Sequence, residues 1–155
     1  MSAKRGLGTV RRLSSGYYQI IAGARRWRAS RLAGLSEVPV RIIEADDKLA
    51  TELALVENLQ REDLNPLEEA QGYRTLIEEY GLTQDEAAKR VGKSRPVVTN
   101  ALRLLALAPE VQQFIEQGLL SAGHARAIAG ARTEEKQLDA ARAVIKNGLS
   151  VRRTE

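Results

Sequence analysis

Residues 81–107 read GLTQDEAAKRVGKSRPVVTNALRLLAL, and this stretch decides how the rest of the chain is organised. Thr83, followed three residues later by Glu86, has the pattern of a capping box and predicts the start of a helix. Gly92 predicts the end of that helix, because glycine readily adopts the left-handed conformation of a C-terminal cap. Ser94 then predicts the start of a second helix. Two short helices joined by a tight turn are typical of a helix-turn-helix, whose second helix enters the DNA major groove.

The second helix of this stretch is predicted to have an apolar inner face and a polar outer face. The inner face repeats apolar residues at helical spacing, namely Val98, Ala101, Leu102 and Leu105. The outer face is left with Arg95, Thr99, Asn100 and Arg103. Together with Arg95, Lys93 and Ser94 place two cations and a hydroxyl at a helix N-terminus, where phosphates bind well. A plain helical hairpin with a solvated basic face is the alternative, but a purely structural turn does not need these three side chains.

Size and composition narrow the class of protein. The chain has 155 residues, enough for one domain or two small ones. Its 43% hydrophobic and 28% charged residues fit a globular protein rather than a disordered one. No apolar run is long enough to span a bilayer and no signal-peptide core is present, so we expect a cytoplasmic protein without membrane contact. The absence of cysteine excludes disulfides, and the single histidine excludes a multi-histidine metal site within one chain.

The net charge of +4 conceals a strong segregation of charge along the chain. Residues 1–36 carry eight Lys or Arg and no acidic residue, whereas residues 37–80 carry twelve acidic and four basic residues. Residues 81–132 are again basic, with seven Lys or Arg against four acids. This distribution predicts two anion-binding regions, one near the N-terminus and one around the helix-turn-helix, separated by an acidic block.

The remaining patterns predict a mainly α fold with a small α/β part near the N-terminus. Residues 1–16 lack apolar periodicity and are predicted to form a flexible basic tail. Strands are predicted at 17–21 and 38–43, with a helix over about 25–32 between them. A further helix is expected from residue 46 or 47 to about 59, and Asn65-Pro66 predicts the start of another. After the helix-turn-helix we expect helices over 109–117 and 122–129, one capped by Thr133, and the start of one more at 149–151.

Two polar clusters outside the helix-turn-helix are candidate chemical sites. Gly23 and the adjacent arginines, Arg25 and Arg26, lie between a predicted strand and helix, which suits a phosphate. At the end of the next predicted helix, Glu57 beside Asn58 can hold a hydrated Mg²⁺. Arg61 follows and can bind a second phosphate. The structural alternative for this second cluster is a polar helix end with a surface ion pair.

His124 is the only histidine of the chain and lies in the sequence GHAR. No serine and aspartate partners for a catalytic triad can be identified around it. We therefore expect a packed or hydrogen-bonded structural residue. Arg126, downstream of the helix-turn-helix, is a candidate for a second set of DNA contacts.

These motifs, taken in order, resemble the ParB chromosome- and plasmid-partition family. The matching stretches are YYQIIAGARRWRASRLAGLSEVPVRII, ENLQREDLNPLEEAQGY, LTQDEAAKRVGKSRPVVTNALRLLALAPEVQQFI and LSAGHARAIAG. The resemblance implies a ParB-type N-terminal nucleotide-binding domain over 17–64 and an all-helical helix-turn-helix domain over 65–155, after the tail at 1–16. It also implies that part of the N-terminal domain and the C-terminal dimerisation domain are missing.

The resemblance also implies roles for individual residues. Gly23, Arg25, Arg26 and Arg61 would hold the triphosphate of CTP, and Glu57 and Asn58 would serve Mg²⁺ and weak CTP hydrolysis. Contacts to a parS palindrome would come from Gln84, Lys93, Ser94, Arg95, Asn100 and Arg126, with Thr99 and Arg103 on the same face. The protein would be nucleoid-associated and would self-associate on DNA, and its N-terminal tail would engage a ParA-type ATPase. One departure is Ala24, which stands where the family usually has glutamate.

Two other functions fit the same resemblance. The N-terminal fold type is shared with sulfiredoxin-like phosphoryl-transfer proteins, so nucleotide chemistry could be the main task. A nucleoid-occlusion protein or transcriptional regulator could use the same scaffold. The helix-turn-helix favours DNA binding over a stand-alone enzyme, and only the DNA site separates a partition protein from a regulator.

Overall fold

Three short strands form a sheet near the N-terminus of the structure, a computed structural model that describes residues 8–155. The strands are β1 (Thr9–Arg12), β2 (Tyr18–Ala22) and β3 (Arg41–Ile43). β1 lies in the centre, antiparallel to β2 and parallel to β3. Two helices belong to this region, α1 (Ala24–Leu32) and α2 (Asp47–Leu59). The predicted small α/β part is therefore confirmed.

The central strand was not predicted, and the assignment of residues 1–16 to a flexible tail is wrong for Thr9–Arg12. β1 pairs with both of its neighbours, and its Val10 is buried. The Arg11 side chain donates to the Ala45 carbonyl at 3.2 Å and forms an ion pair with Asp47. These partners are distant in sequence, so the four-residue strand has no local signal. The first part of the predicted tail, residues 1–7, lies outside the described residues.

The predicted strand over 38–43 is shorter in the structure and begins only at Arg41. Pro39 cannot donate to a ladder, because proline lacks a backbone N–H group. The first hydrogen bond on this side is made by Arg41, whose N–H donates to the Gly8 carbonyl at 2.9 Å. β3 lies at an edge of the sheet, where a nearby proline is tolerated.

The rest of the described chain is helical, as predicted. The helices are α3 (Pro66–Glu78), α4 (Gln84–Val91), α5 (Arg95–Leu104), α6 (Pro109–Glu116), α7 (Ala122–Ile128), α8 (Glu134–Asn147) and α9 (Val151–Thr154). α3 begins where Asn65-Pro66 predicts, since Asn65 Oδ1 accepts the N–H groups of Leu67 at 2.8 Å and Glu68 at 2.9 Å. None of the helices in residues 8–155 is both long and apolar enough to cross a membrane.

Contacts divide the chain into two units, the first ending at Asn58 and the second spanning Leu59–Glu155. The division falls ahead of the predicted boundary between residues 64 and 65, so residues 59–64 group with the helical unit. The largest fully buried side chains all lie in this second unit; they are Tyr73, Leu76, Val98, Val111 and Ile128. Burial, together with its hydrogen bond to Glu69, raises the pKa of Tyr73 above its ordinary value.

The close approach of Leu59 to α3 depends on a glycine in the middle of that helix. Gly72 is buried, and a Cβ at this position would overlap the Leu59 side chain, with Cγ only 2.9 Å away. Glycine in a helix interior costs about 1 kcal/mol relative to alanine. The close packing against Leu59 gives a physical reason for glycine at this position.

We predict that Gly72→Ala lowers the free energy of unfolding of the chain by about 1–3 kcal/mol, because overpacking outweighs the gain in helix propensity. In a Leu59→Ala background the same substitution should be neutral or stabilising, since the obstructing side chain is gone. Urea titration of the parent, the two single variants and the double variant measures the coupling free energy between residues 59 and 72. An equal loss in both backgrounds would contradict the packing described.

Candidate nucleic-acid interface

α4 is capped at both ends, and its caps determine where the next helix begins. At its start, the N–H of Glu86 donates to Thr83 Oγ1 at 3.2 Å, and the N–H of Thr83 donates to the Glu86 carboxylate at 3.0 Å. At its end, Gly92 has φ 72°, and the N–H of Lys93 donates to the Ala88 carbonyl at 2.9 Å. Both predicted caps are confirmed. The turn residues 92–94 therefore have little freedom, and α5 starts directly at Arg95.

The first turn of α5 presents cations to solvent. Lys93, Ser94 and Arg95 are exposed, and the first turn of the helix contains no acidic residue. Ser94 occupies the predicted N-cap position but makes no capping hydrogen bond with its side chain. Pro96 follows in the first turn, where proline is tolerated. The Ser94 hydroxyl and the two cations at this helix start together suit a phosphate or an electronegative base edge.

The outer side of α5 is half-buried rather than fully exposed at Thr99 and Asn100. The Thr99 hydroxyl lies 2.7 Å from Gln84 Oε1 and 3.1 Å from the Arg95 carbonyl. The first contact joins α5 to the start of α4. Because the Gln84 carboxamide oxygen is engaged there, the NH₂ group at the other end of the amide is the part that can donate to DNA.

Arg95 forms a surface ion pair with Asp85 of α4. The Nη1 to Oδ2 distance is 3.6 Å, and the two side chains are 62% and 59% exposed. A pair this open to water contributes little to stability. It does hold the Arg95 guanidinium against a carboxylate that a DNA phosphate or base would have to replace.

Arg126 lies in the same cleft as Asn100, although the two residues are distant in sequence. The cleft has a volume of about 150 Å³ and is lined by Pro66, Glu69, Val97, Asn100, Ala101, Leu104, Ala122 and Arg126. It joins α5 to α7 and to the start of α3. Arg103 is exposed in the last turn of α5. The structure thus places the predicted DNA-contacting residues on α4, the turn, α5 and α7 of one unit.

α7 is held in place by His124, which is a hydrogen-bonded structural residue, as predicted. His124 Nδ1 lies 2.8 Å from Ser121 Oγ, and Nε2 lies 2.8 Å from the Leu149 carbonyl. The preceding Gly123 allows close packing, because a Cβ there would lie 2.9 Å from a methyl group of Val151. These contacts attach the helix that carries Arg126 to the end of the chain. The Leu149 contact has no local signal in the sequence, because it joins residues that are far apart along the chain.

In the first unit, Gly23 and the adjacent arginines occupy the start of α1. Gly23 has φ 97°, α1 has no side-chain cap, and its first turn contains no acidic residue. Arg25 and Arg26 are exposed there. A cleft of about 430 Å³ is lined by Gly23, by all three strands and by Trp27 of α1. This donor set fits the phosphates of a nucleotide, and the apolar wall of the cleft fits a base.

The second polar cluster contains Glu57 and Asn58, which are exposed in the last turn of α2. Arg61 belongs to the other unit, and its guanidinium donates to both carboxylate oxygens of Asp63, at 3.0 and 2.7 Å. These hydrogen bonds raise the pKa of Arg61. Within residues 8–155, no group of three or more acidic or histidine side chains is placed to hold a metal. A Mg²⁺ ion here would therefore need ligands from a phosphate as well as from Glu57 and Asn58.

Comparison with known proteins assigns most of the chain to two described domains. A domain described as the ParB N-terminal domain matches residues 9–59, and one described as the ParB HTH domain matches residues 62–155. The chain is 53% identical over 138 residues to the chromosome-partitioning protein Spo0J of Thermus thermophilus, covering 89% of this chain and 51% of that protein. It is 54% identical over 138 residues to the chromosome-partitioning protein ParB of Myxococcus xanthus, covering 89% of this chain and 47% of that protein. It therefore spans about half the length of the curated relatives it matches.

A solved structure is similar to nearly the whole chain. It is the crystal structure of the C-terminally truncated chromosome-partitioning protein ParB from Caulobacter crescentus, complexed to the centromeric parS site. The sequences are 49% identical, the TM-score is 0.89, and the match covers 95% of this chain and 78% of the other. The fold described above is thus one that has been observed on DNA in that relative.

We predict that Asp85→Asn strengthens binding of the chain to duplex DNA by about two- to five-fold at low salt, because it releases Arg95 and removes the carboxylate that faces it from α4. The gain should shrink as salt rises. Glu110→Gln is the matched control, since Glu110 forms a comparable exposed pair with Arg142 at 3.4 Å on α6 and α8. Fluorescence anisotropy measures all three proteins. A gain as large for Glu110→Gln would show that only net charge matters.

Proposed function

This chain belongs to the ParB family, and from that membership we propose that it binds a parS-like palindromic DNA site in chromosome or plasmid partition. The observation that supports this most strongly is the exposed cationic first turn of α5, which follows a helix capped at both ends. A helix-turn-helix reads bases with the N-terminal part of its second helix. Lys93, Ser94 and Arg95 lie in that position.

Within this proposal the candidate residues have different tasks. Arg95 and Asn100 are placed to contact base edges, because arginine pairs well with guanine and asparagine with adenine. Lys93, Ser94 and Arg103 contact phosphates and fix the orientation of α5. Gln84 and Thr99 act as a hydrogen-bonded pair at the edge of the interface. Arg126 adds a contact from α7.

A palindrome has two half-sites, so we propose that two copies of the chain associate on DNA. The protein would then be found with the nucleoid. A contact with a ParA-type ATPase through the N-terminal tail belongs to the same proposal. That contact falls mostly on residues 1–7, which lie outside the described residues.

Base contacts and phosphate contacts give different predictions for two arginines of α5. Arg95→Ala should weaken binding to the parS duplex by about 1–3 kcal/mol and change binding to a scrambled duplex much less. Arg103→Ala should weaken binding to both duplexes alike. It should also reduce the salt dependence of the binding constant by about one released ion. Arg142→Ala on α8 is the control for loss of one positive charge.

Fluorescence anisotropy at several salt concentrations provides the measurement. A parent chain that binds both duplexes equally would contradict sequence-specific recognition altogether. Equal affinity of Arg95→Ala and the parent for parS would contradict only the role given to Arg95.

We further propose that the first unit binds the triphosphate of CTP at the start of α1. Gly23 lets the backbone approach the phosphates, and Arg25 and Arg26 offset their charge. Glu57 and Asn58 of the same unit would serve the Mg²⁺ side, and bound Mg²⁺ would neutralise charge on the phosphates. The open apolar cleft beside Gly23 is the observation that favours a nucleotide over a simple anion. A phosphoryl-transfer enzyme is the weaker alternative, because such an enzyme does not need the helix-turn-helix.

We predict weak CTP binding in the presence of Mg²⁺ and parS DNA, lost in Arg25→Ala and kept in Arg28→Ala. Arg28 is an exposed arginine of the same helix, located beyond its first turn, and is therefore a charge-matched control. Calorimetric titration with CTP and with GTP measures binding and base preference. With a carboxylate missing at Ala24 we expect little or no turnover. Absence of binding by either nucleotide at millimolar concentration would make these residues structural.

A further inference from the structure

Val97 is an exposed aliphatic side chain in the first turn of the proposed recognition helix. It is 40% exposed, whereas the next residue, Val98, is completely buried. Its N–H donates to the Ser94 carbonyl at 3.1 Å, so its backbone is already fixed in the helix. The sequence pattern assigned Val97 to neither the inner nor the outer face of α5.

A single exposed hydrophobic residue needs no functional explanation on most protein surfaces. Val97 differs because of its neighbours. It lines the cleft of about 150 Å³ that also contains Asn100 and Arg126. Asn100 lies three residues further along α5, which places it beside Val97 on the helix surface. Val97 therefore forms an apolar part of a cleft that also contains two side chains able to donate hydrogen bonds.

The cleft is also lined by the acidic residue Glu69 and by further apolar side chains. Ala101 follows one turn later on α5, and Ala122 approaches from α7. Both side chains are small, so the cleft remains open above them. Transfer of a small apolar group from water into contact with such side chains is favourable.

In the major groove of DNA, the only apolar group on a base edge is the C5 methyl of thymine. We infer that Val97 contacts the methyl group of one thymine in each half-site and thereby selects thymine over cytosine at that position. This inference rests on the proposed function, since it concerns the same interface. Val97 would be a specificity-determining residue that acts by apolar contact, whereas Arg95 and Asn100 act through hydrogen bonds.

Deoxyuridine tests the inference because it differs from thymidine only in lacking this methyl group. The thymines of the parS duplex are replaced by deoxyuridine one position at a time, and each replacement is made in both half-sites. Affinities are measured by fluorescence anisotropy for the parent, Val97→Ala and Leu119→Ala. Leu119 is an exposed aliphatic residue between α6 and α7, 50% exposed, and serves as the matched control.

For the parent and for Leu119→Ala we expect one thymine position at which loss of the methyl weakens binding about four-fold per half-site. Val97→Ala should bind the unmodified duplex more weakly. Its affinity should not change further when deoxyuridine replaces thymidine at that same position. Val97→Ile keeps the apolar contact and should remain sensitive there. Circular dichroism checks that each variant has the parent's helix content.

Two results separate the failure of this inference from failure of the proposed function. If the parent prefers the parS duplex over a scrambled one but Val97→Ala shows the same deoxyuridine profile as the parent, the role of Val97 is overturned. If the parent shows no preference for parS, the proposed function fails and this inference fails with it.

Discussion

The left-handed turn at Gly92 is the constraint on which the candidate nucleic-acid interface depends. A residue with a side chain would pay roughly 1–2 kcal/mol for φ 72°. The turn ends α4, directs the Lys93 N–H back to the Ala88 carbonyl and starts α5 at Arg95. Because the start is fixed, Val98 and Leu104 enter the core while Arg95, Val97 and Arg103 stay at the surface. A shift of one residue would rotate the helix by about 100° and bury the wrong side chains.

The sequence predicted the parts of the fold that are encoded locally. The capping box at Thr83, the glycine at 92 and the Asn65-Pro66 helix start each involve residues within a few positions of one another, and each is present in the structure. The central strand Thr9–Arg12 was missed because its stability comes from partners far along the chain. The prediction of the inner face of α5 was only partly correct. Leu104 is buried, whereas Ala101, Leu102 and Leu105 are half-buried. That difference reflects how neighbouring helices pack, which periodicity alone does not contain.

The candidate sites, too, could be predicted only where the signal lies in neighbouring residues of the sequence. Residue type and position identified the cationic turn and the arginines at the start of α1. The sequence did not indicate the Asp85–Arg95 pair, the cleft shared by Asn100 and Arg126, or the hydrogen bond from His124 to Leu149. Each of these joins elements that are separate in sequence, and each changes what a side chain can do. The Asp85 carboxylate, for example, is a protein partner that Arg95 would have to exchange for a DNA partner in the proposed complex.

In the proposed complex, recognition of a specific duplex depends on the turn at residues 92–94, on α5 and on Arg126 of α7. NMR titration of the ¹⁵N-labelled chain with the parS duplex, and separately with a scrambled duplex of equal composition, tests it most directly. We expect amide shift changes specific to parS to concentrate at residues 93–103 and around Arg126. Identical changes with both duplexes, or parS-specific changes confined to the first unit, would contradict this expectation.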